Sequence, residues 1–274
     1  MLDFIILGGQ KCGTSTLHEV LKDHPSILLP NNKEAPYFLG TQFQEKHWDR
    51  FYRDNYKQKQ ERKIVGKITP QYLSDPDSAY HIYSHNPNIN LIVILRNPID
   101  RVYSHYKMCY RRGLTSSPFE QKVIEWISHE NLRKSRDLQS FYKNEAECCV
   151  AWSEYCRQLN HYLPFFPRNN TLVIFTDTLA NSPNILFESI FQFLEIDPTF
   201  TSDKIGKVFF KGGLKDRLDW AKPAKNLPLT KTLWRLFLKL LPKSILWEIE
   251  KWRAILKRKF RAKTSFLVFQ IARP

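Results

Sequence analysis

The stretch LIVILRNP at residues 91–98 constrains the fold more than any other part of the chain. Its five consecutive apolar residues, with no polar alternation, predict a strand covered on both faces, which is typical of the centre of a parallel sheet. Proline suits the first turn of a helix, so Asn97-Pro98 predicts a helix that runs to about Arg112. Arg96 is therefore expected at the C-terminal end of a central strand.

Apolar runs alternate with helical patterns along most of the chain. This alternation predicts a three-layer α/β/α domain with a mostly parallel central sheet. Ligands of such sheets bind at the C-terminal ends of the strands. The predicted strands are 3–8, the short run 27–29, the beginning of IVGKITPQYL, 91–95 and 172–176; the predicted helices are 14–22, 43–60, 98–112, 118–131, 147–163 and 181–194.

The length and composition fit one domain with a hydrophobic core, because the chain has 274 residues of which 42% are hydrophobic. No apolar stretch reaches the roughly 18 residues of a membrane-spanning helix, and the N-terminus lacks the pattern of a signal peptide. The five cysteines show neither C-x-x-C nor a Cys/His zinc spacing. They predict reduced thiols in a cytoplasmic protein without a metal site.

The positive charge is concentrated in the last quarter of the chain. Residues 204–274 contain 13 Lys and 6 Arg against four acidic residues, so they carry the whole formal net charge of +15. We predict a basic, helical extension over residues 221–274 behind a core over 1–220. Its apolar and basic residues fit a helix packed on the core with its lysines in water, or one that contacts an anionic membrane surface or polymer. No specific nucleic-acid partner and no oligomeric state are predicted.

The segment GGQKCGTST at residues 8–16 predicts an anion site. Its glycines allow a tight turn and close approach of backbone amides, and the helix that follows presents free N–H groups. In a nucleotide P-loop, G-x-x-x-x-G-K-[ST], the lysine follows the last glycine, whereas Lys11 precedes Gly13. A tight strand–helix turn with a threonine cap would give a similar pattern.

A second anion site is indicated in LRNPIDRVYSHY. Arg96 can hold a phosphate with two parallel N–H groups, and Ser104 lies about two turns into the next helix, near the face of Arg101. The alternative is that Arg96 pairs with Asp100 and that Ser104 only packs. Two such sites at neighbouring strand ends indicate a ligand with phosphates at two separated positions.

In these motifs together, the chain resembles the sulfotransferases that use 3′-phosphoadenosine 5′-phosphosulfate (PAPS). The pattern GxxKxGT[ST]xL resembles their 5′-phosphosulfate loop, LRNPIDRVYSHY their 3′-phosphate motif, and KITPQYL their [TS]-P-x-Y segment. The resemblance covers roughly residues 3–215 and is strongest to the branch with bacterial enzymes and heparan sulfate sulfotransferases. It implies a transferase of the EC 2.8.2 type with a P-loop-like loop, PAPS as donor, PAP as product and no metal.

The resemblance also implies which residues bind the donor. The 5′-phosphosulfate would be held by the loop, and the 3′-phosphate by Arg96 and Ser104. The segment FFKGGLK at 209–215 resembles the basic glycine loop that closes over the nucleotide. The loop residues concerned are Lys11, Cys12, Gly13, Thr14, Ser15 and Thr16, and those of the basic glycine loop are Lys211, Gly212 and Gly213.

Glu34 in NNKEAPYF stands where this branch has a glutamate that acts as general base. A carboxylate there would take the proton of an acceptor hydroxyl or amine; alternatively, Glu34 is a loop acid paired with Lys33 or Lys22. Lys67 departs from the family pattern, because it occupies a position where many relatives have an acid. It is expected to reach the acceptor or the sulfuryl group from a shifted position, or to mark an anionic acceptor.

We therefore predict a sulfotransferase in which Glu34, Lys11 and Lys67 act on a small metabolite, as in bacterial secondary metabolism, or on a glycan. Two alternatives stay open. A P-loop kinase of a small metabolite would need G-K-[ST] and an acid for magnesium, and a non-enzymatic binder of polyanions would depend on the basic extension.

Overall fold

The computed structural model describes residues 1–40, 43–56, 63–136 and 145–209. In this part of the chain five strands form one parallel sheet in the order β2-β3-β1-β4-β5. Helices cover the sheet, so the predicted three-layer α/β architecture is confirmed. The strands are β1 (Phe4–Gly8), β2 (Ile27–Leu28), β3 (Ile64–Ile68), β4 (Asn90–Leu95) and β5 (Thr171–Phe175).

Nine α-helices and several 3₁₀ turns connect the strands within the described ranges. The helices are α1 (Thr14–Leu21), α2 (Trp48–Asn55), α3 (Pro76–His85), α4 (Pro98–Arg111), α5 (Phe119–Ile127), α6 (His129–Arg136), α7 (Tyr155–Leu159), α8 (Thr176–Asn181) and α9 (Pro183–Phe193). The 3₁₀ turns are Glu45–His47, Pro70–Ser74, Glu145–Cys148, Ala151–Ser153 and Arg168–Asn170.

The central strands are buried on both faces because their side chains alternate between two hydrophobic clusters. Ile5 and Leu7 of β1 join one cluster, which includes residues of α3 and buried tyrosines from separate segments, among them Tyr72. Phe4 and Ile6 join the other, which includes α1, α8 and α9. A Cβ on Gly66 of β3 would lie 2.0 Å from the Phe4 ring, so glycine there leaves room for that ring.

Two of the predicted helices are shorter or divided in the structure. The 43–60 prediction is reduced to a 3₁₀ turn and α2, with residues 57–60 outside the described part. The 118–131 prediction divides at Ser128, whose extended backbone ends α5 and whose hydroxyl accepts a hydrogen bond from the Asn131 N–H at 3.3 Å.

The prediction of one helix over 147–163 is wrong. The chain instead forms two 3₁₀ turns followed by α7, and Glu154 between them has a non-helical backbone. Tertiary hydrogen bonds replace those of a helix, because the carbonyl of Cys149 and the hydroxyl of Ser153 both accept hydrogen bonds from the buried Arg101.

Among the described residues no helix is long and apolar enough to cross a bilayer. The predicted core boundary at residue 220 and the basic extension 221–274 lie outside the described residues and stay predictions.

Candidate active site

The loop between β1 and α1 has the backbone of an anion site. Lys11 and Gly13 both have positive φ angles, 74° and 106°, and this left-handed region favours glycine over other residues. Gly13 is the N-cap of α1 and no side chain caps the helix. The first N–H groups of a helix have no acceptor within it, and with the helix dipole they favour an anion at this end.

Lys33, which the sequence predicts only as an alternative partner of Glu34, faces the same helix end. Its ammonium donates hydrogen bonds to Ser15 Oγ at 3.0 Å and Thr14 Oγ1 at 3.4 Å. It also donates to Glu34 Oε1 at 3.0 Å. The lysine therefore joins the hydroxyl groups of the loop to the predicted general base.

Arg96 lies at the C-terminal end of β4, as predicted, and its Nη1 donates to the Lys11 carbonyl at 3.2 Å. Within the described ranges Arg96 makes no ion pair. The alternative that it pairs with Asp100 is therefore wrong. Ser104 is half-buried on α4, and its role at a 3′-phosphate stays a prediction.

Cations converge on this loop and on α4. Burial lowers the pKa of Lys11, and three nearby guanidinium groups lower it further. Burial also lowers the pKa of Lys107, as do two of the same guanidinium groups. These cations repel one another, and a bound anion would offset the repulsion. The cluster therefore supports the prediction of anion sites here. The guanidinium groups belong to Arg96, Arg111 and Arg112.

Arg101 is fully buried and donates a hydrogen bond to the backbone of the loop between β1 and α1. Its Nε donates to Ser153 Oγ at 2.5 Å, and its Nη1 donates to the Gln10 carbonyl at 3.3 Å. Gln10 Nε2 in turn donates to Glu145 Oε1 at 2.8 Å. The segment around residues 145–153 is thereby fixed to the residue that precedes Lys11.

Glu34 lines a cleft of about 300 Å³ that also borders Gln10 of the loop between β1 and α1. Its side chain is 44% exposed, so its carboxylate is accessible to an acceptor. The side-chain carbonyl oxygens of Gln10 and Gln71 are buried and make no hydrogen bond to any described residue. The cleft is lined by Gln10, Glu34, Pro36, Leu39, Thr69, Gln71, Arg112, Glu145 and Trp152.

Lys67 is not in the open part of the site, which corrects the expectation that it reaches the acceptor or the sulfuryl group. It is fully buried, and its Nζ lies 5.0 Å from the centre of the Phe51 ring. Burial lowers its pKa to about 7, against a smaller effect of Glu34. The physical reason is strand alternation, since Lys67 points to the same face of β3 as the core residue Val65.

Cys12 enters the loop only through its backbone. Its side chain is fully buried, with Sγ 3.6 Å from the Tyr155 hydroxyl, and its N–H donates to the Gly9 carbonyl at 3.0 Å. Burial raises the pKa of the Cys12 thiol. Cys12 therefore shapes the turn, and neither its thiol nor its N–H is directed at a ligand.

Several basic residues of the site were missed from the sequence, and their spacing was the signal. Lys107 and Arg111 follow Ser104 by three and seven residues, which places them on one helical face. The predicted loop of Lys211, Gly212 and Gly213 lies outside the described residues.

Comparisons with known proteins show the family of this chain. The model of the sulfotransferase domain family matches residues 2–212. The chain belongs to the sulfotransferase family. A solved sulfotransferase from Alicyclobacillus acidocaldarius is similar, with 26% identity and a TM-score of 0.62 over 74% of this chain and 85% of that one.

Two curated relatives are similar to this chain over part of their own length. The membrane-associated sulfotransferase kil1 of Dictyostelium discoideum is 30% identical over 47% of this chain and 27% of its own length. The heparan sulfate glucosamine 3-O-sulfotransferase 5 of Mus musculus is 25% identical over 71% of this chain and 53% of its own length. The chain thus spans between about a quarter and about half of these relatives.

Proposed function

We propose that this sulfotransferase family member transfers a sulfuryl group from PAPS to a hydroxyl, or an amine, of a small metabolite or a glycan. The observation that carries the proposal is the loop of Lys11 and Gly13, which meets Arg96 at the ends of two adjacent strands. A P-loop kinase is set aside, because the matching family model is that of a sulfotransferase.

The donor fits the charges of the site. Its 5′-phosphosulfate would lie at the N-terminus of α1, with Lys11 and the loop hydroxyl groups as donors. Its 3′-phosphate would contact Arg96 and Ser104, with Lys107 and Arg111 adding positive charge. When bound, PAPS supplies the sulfuryl group, whose bond to the bridging phosphate oxygen breaks as the acceptor oxygen bonds to sulfur.

Glu34, Lys11 and Lys33 have different roles in this displacement. Glu34 takes the proton of the acceptor hydroxyl, so that the attacking oxygen gains nucleophilicity. Lys11 and the N-terminus of α1 stabilise the negative charge that grows on the leaving phosphate oxygen. Lys33 holds the Glu34 carboxylate beside Ser15 and Thr14, which keeps the base near the reacting group.

The cleft favours an acceptor rich in hydroxyl groups. Gln10 and Gln71 line the cleft, and their side-chain carbonyl oxygens are buried without a partner among the described residues. An unpaired buried acceptor is costly, so rotation of either amide toward a ligand hydroxyl would be favourable. Heparan sulfate, which appears in the name of a relative, is one such polyol. The five cysteines are all free, which supports the proposal of a reducing, cytoplasmic setting.

The test is transfer of labelled sulfate from PAPS to a panel of sugars, polyols and phenols by the full chain. For the best acceptor, Glu34→Gln is expected to lower kcat by about 10²–10⁴-fold while PAP binding is kept. The exposed acid Glu188 provides a matched control, and Glu188→Gln is expected to leave kcat unchanged. Equal kcat in Glu34→Gln and the unmodified protein would remove Glu34 from the mechanism.

A further inference from the structure

A buried group of one histidine and two cysteines lies beneath the cleft and has no part in the proposed transfer. His105 and Cys109 occupy one face of α4, one turn apart, and Cys149 comes from the segment between two 3₁₀ turns. One ligand atom from each residue lies within 4.8 Å of the other two. All three side chains are fully buried.

We propose that His105, Cys109 and Cys149 bind a zinc-class divalent cation that fixes the 145–153 segment to α4. One imidazole nitrogen and two thiolate sulfurs form a preferred donor set for zinc. In a tetrahedral site with Zn–S bonds of about 2.3 Å, the two sulfurs lie about 3.8 Å apart. The three donors are thus close enough to bind one ion after small side-chain rotations.

Glu145 completes the site in a way that suits either ring nitrogen. Its Oε1 lies 3.3 Å from His105 Nε2. If Nε2 binds the ion, the carboxylate is placed to supply a fourth ligand. If Nδ1 binds the ion, Glu145 accepts the hydrogen bond of Nε2–H, which fixes the tautomer of a metal-binding histidine. The His105 ring is also held by stacking on Trp152, with ring centres 5.1 Å apart.

The charge balance permits a cation beside Arg101, whose Nη1 lies 3.3 Å from His105 Nδ1. A dication with two thiolates has no net charge, so it adds no charge to the buried region next to this guanidinium. Arg101 has three further acceptors, namely Ser153 Oγ and the carbonyls of Gln10 and Cys149, so it can release the ring nitrogen.

The remaining nearby cysteines are excluded by their positions. The thiol of Cys148 lies 3.7 Å from the Ser135 carbonyl, where it donates to that oxygen. Cys156 is exposed and serves as a control. The ligands come from distant parts of the chain, which is why the sequence pattern predicts no metal site.

A bound ion would stabilise the position of the loop between β1 and α1. Arg101 and Glu145 both contact Gln10, the residue before Lys11. An ion bound to Cys149 and α4 would hold these two contacts in place. Sulfuryl transfer itself uses no step at this site, so the metal proposal and the proposed function stand or fall separately.

The test is the zinc content of the full chain, purified without a metal-binding tag, after incubation with ZnCl₂ and desalting. About one zinc per chain is expected in the unmodified protein and in Cys156→Ser, with a large loss in Cys109→Ser and Cys149→Ser. Zinc is also expected to raise the melting temperature of the unmodified protein but not of Cys109→Ser. No retained zinc, or equal retention in Cys109→Ser, would overturn the proposal.

A second measurement needs no variant and covers the case in which the serine proteins fail to fold. Co²⁺ bound to the unmodified protein is expected to give the thiolate-to-cobalt charge-transfer absorption of a site with cysteine ligands. Absence of this absorption would contradict the proposal, as would a Cys109–Cys149 disulfide, found by mass spectrometry, that persists when zinc is supplied under reducing conditions.

Discussion

At the scale of single residues, the position of Lys11 before Gly13 separates this loop from the G-x-x-x-x-G-K-[ST] loop of P-loop kinases. Its backbone is in the left-handed region, so the loop turns at the lysine before it turns again at Gly13. Burial lowers the pKa of this ammonium, and the guanidinium groups of Arg111, Arg112 and Arg96 lower it further. A lysine in this field is stabilised when an anion binds.

Lys11→Ala is expected to lower kcat by about 10²–10³-fold, because it removes a charge that stabilises the leaving phosphate oxygen. The rate of labelled sulfate transfer from PAPS measures the effect. Lys134 on α6 is exposed and pairs only with Glu130 among described residues, so Lys134→Ala provides the control. Near-normal turnover by Lys11→Ala would be incompatible with the assigned role.

Lys67 provides a pH-dependent prediction. Its pKa falls from 10.5 to about 7 in the folded protein because it is buried. Between these two values the unfolded chain binds the proton and the folded protein does not, so stability from this group rises with pH, by about 1.4 kcal/mol per pH unit. Below pH 7 the folded protein carries the full cost of a buried ammonium.

Lys67→Met removes this cost with a side chain of similar length. The variant is expected to be more stable than the unmodified protein at pH 6, with a difference that shrinks as pH rises from 7 toward 10.5. Urea unfolding of both proteins at several pH values measures it. A stability difference that does not change with pH would mean that Lys67 titrates normally.

At the scale of elements, α4 organises the site. Its N-terminus follows Arg96 and its middle presents Ser104 and Lys107. Its buried face carries Arg101 and two of the three proposed metal ligands, His105 and Cys109. Arg101→Met would leave the Gln10 and Cys149 carbonyls without this donor. We expect a loss of roughly 2–5 kcal/mol in unfolding free energy, since each buried unpaired group costs about 1–3 kcal/mol.

Urea unfolding of Arg101→Met measures that loss, and Arg133→Met, at an exposed position on α6, is the matched control. PAP binding by Arg101→Met is expected to weaken as well, because Gln10 precedes the loop lysine. Two variants of equal stability would show that the buried guanidinium contributes little.

Local sequence predicts an element well when its burial or backbone conformation requires particular residue types in that element itself. The uninterrupted apolar run of β4 and the glycine-rich turn after β1 were both placed correctly, because burial on two faces and positive φ each leave a local signature. The 147–163 segment was not predicted correctly, because the Cys149 carbonyl accepts a hydrogen bond from Arg101 of α4, which is a different element. The burial of Lys67 and the meeting of His105 with Cys149 are likewise long-range effects that spacing does not encode.

At the scale of the whole molecule, the described part concentrates its functional cations at the loop and α4, while the excess charge of the sequence lies in residues 204–274. The first feature predicts that PAP binding weakens as salt rises, because screening reduces the attraction between PAP and these cations. Isothermal titration at several NaCl concentrations measures this. An affinity independent of salt would contradict binding by the cationic cluster.

The most direct test of the account is isothermal titration of the full chain with PAP. The unmodified protein and the control Arg168→Ala, at an exposed position, are expected to bind one PAP per chain. Arg96→Ala is expected to lose at least tenfold in affinity, because a charge-assisted contact with the 3′-phosphate contributes about 1.5–3 kcal/mol. No PAP binding by the folded protein, or equal affinity in Arg96→Ala, would contradict the assignment of a PAPS-dependent sulfotransferase site.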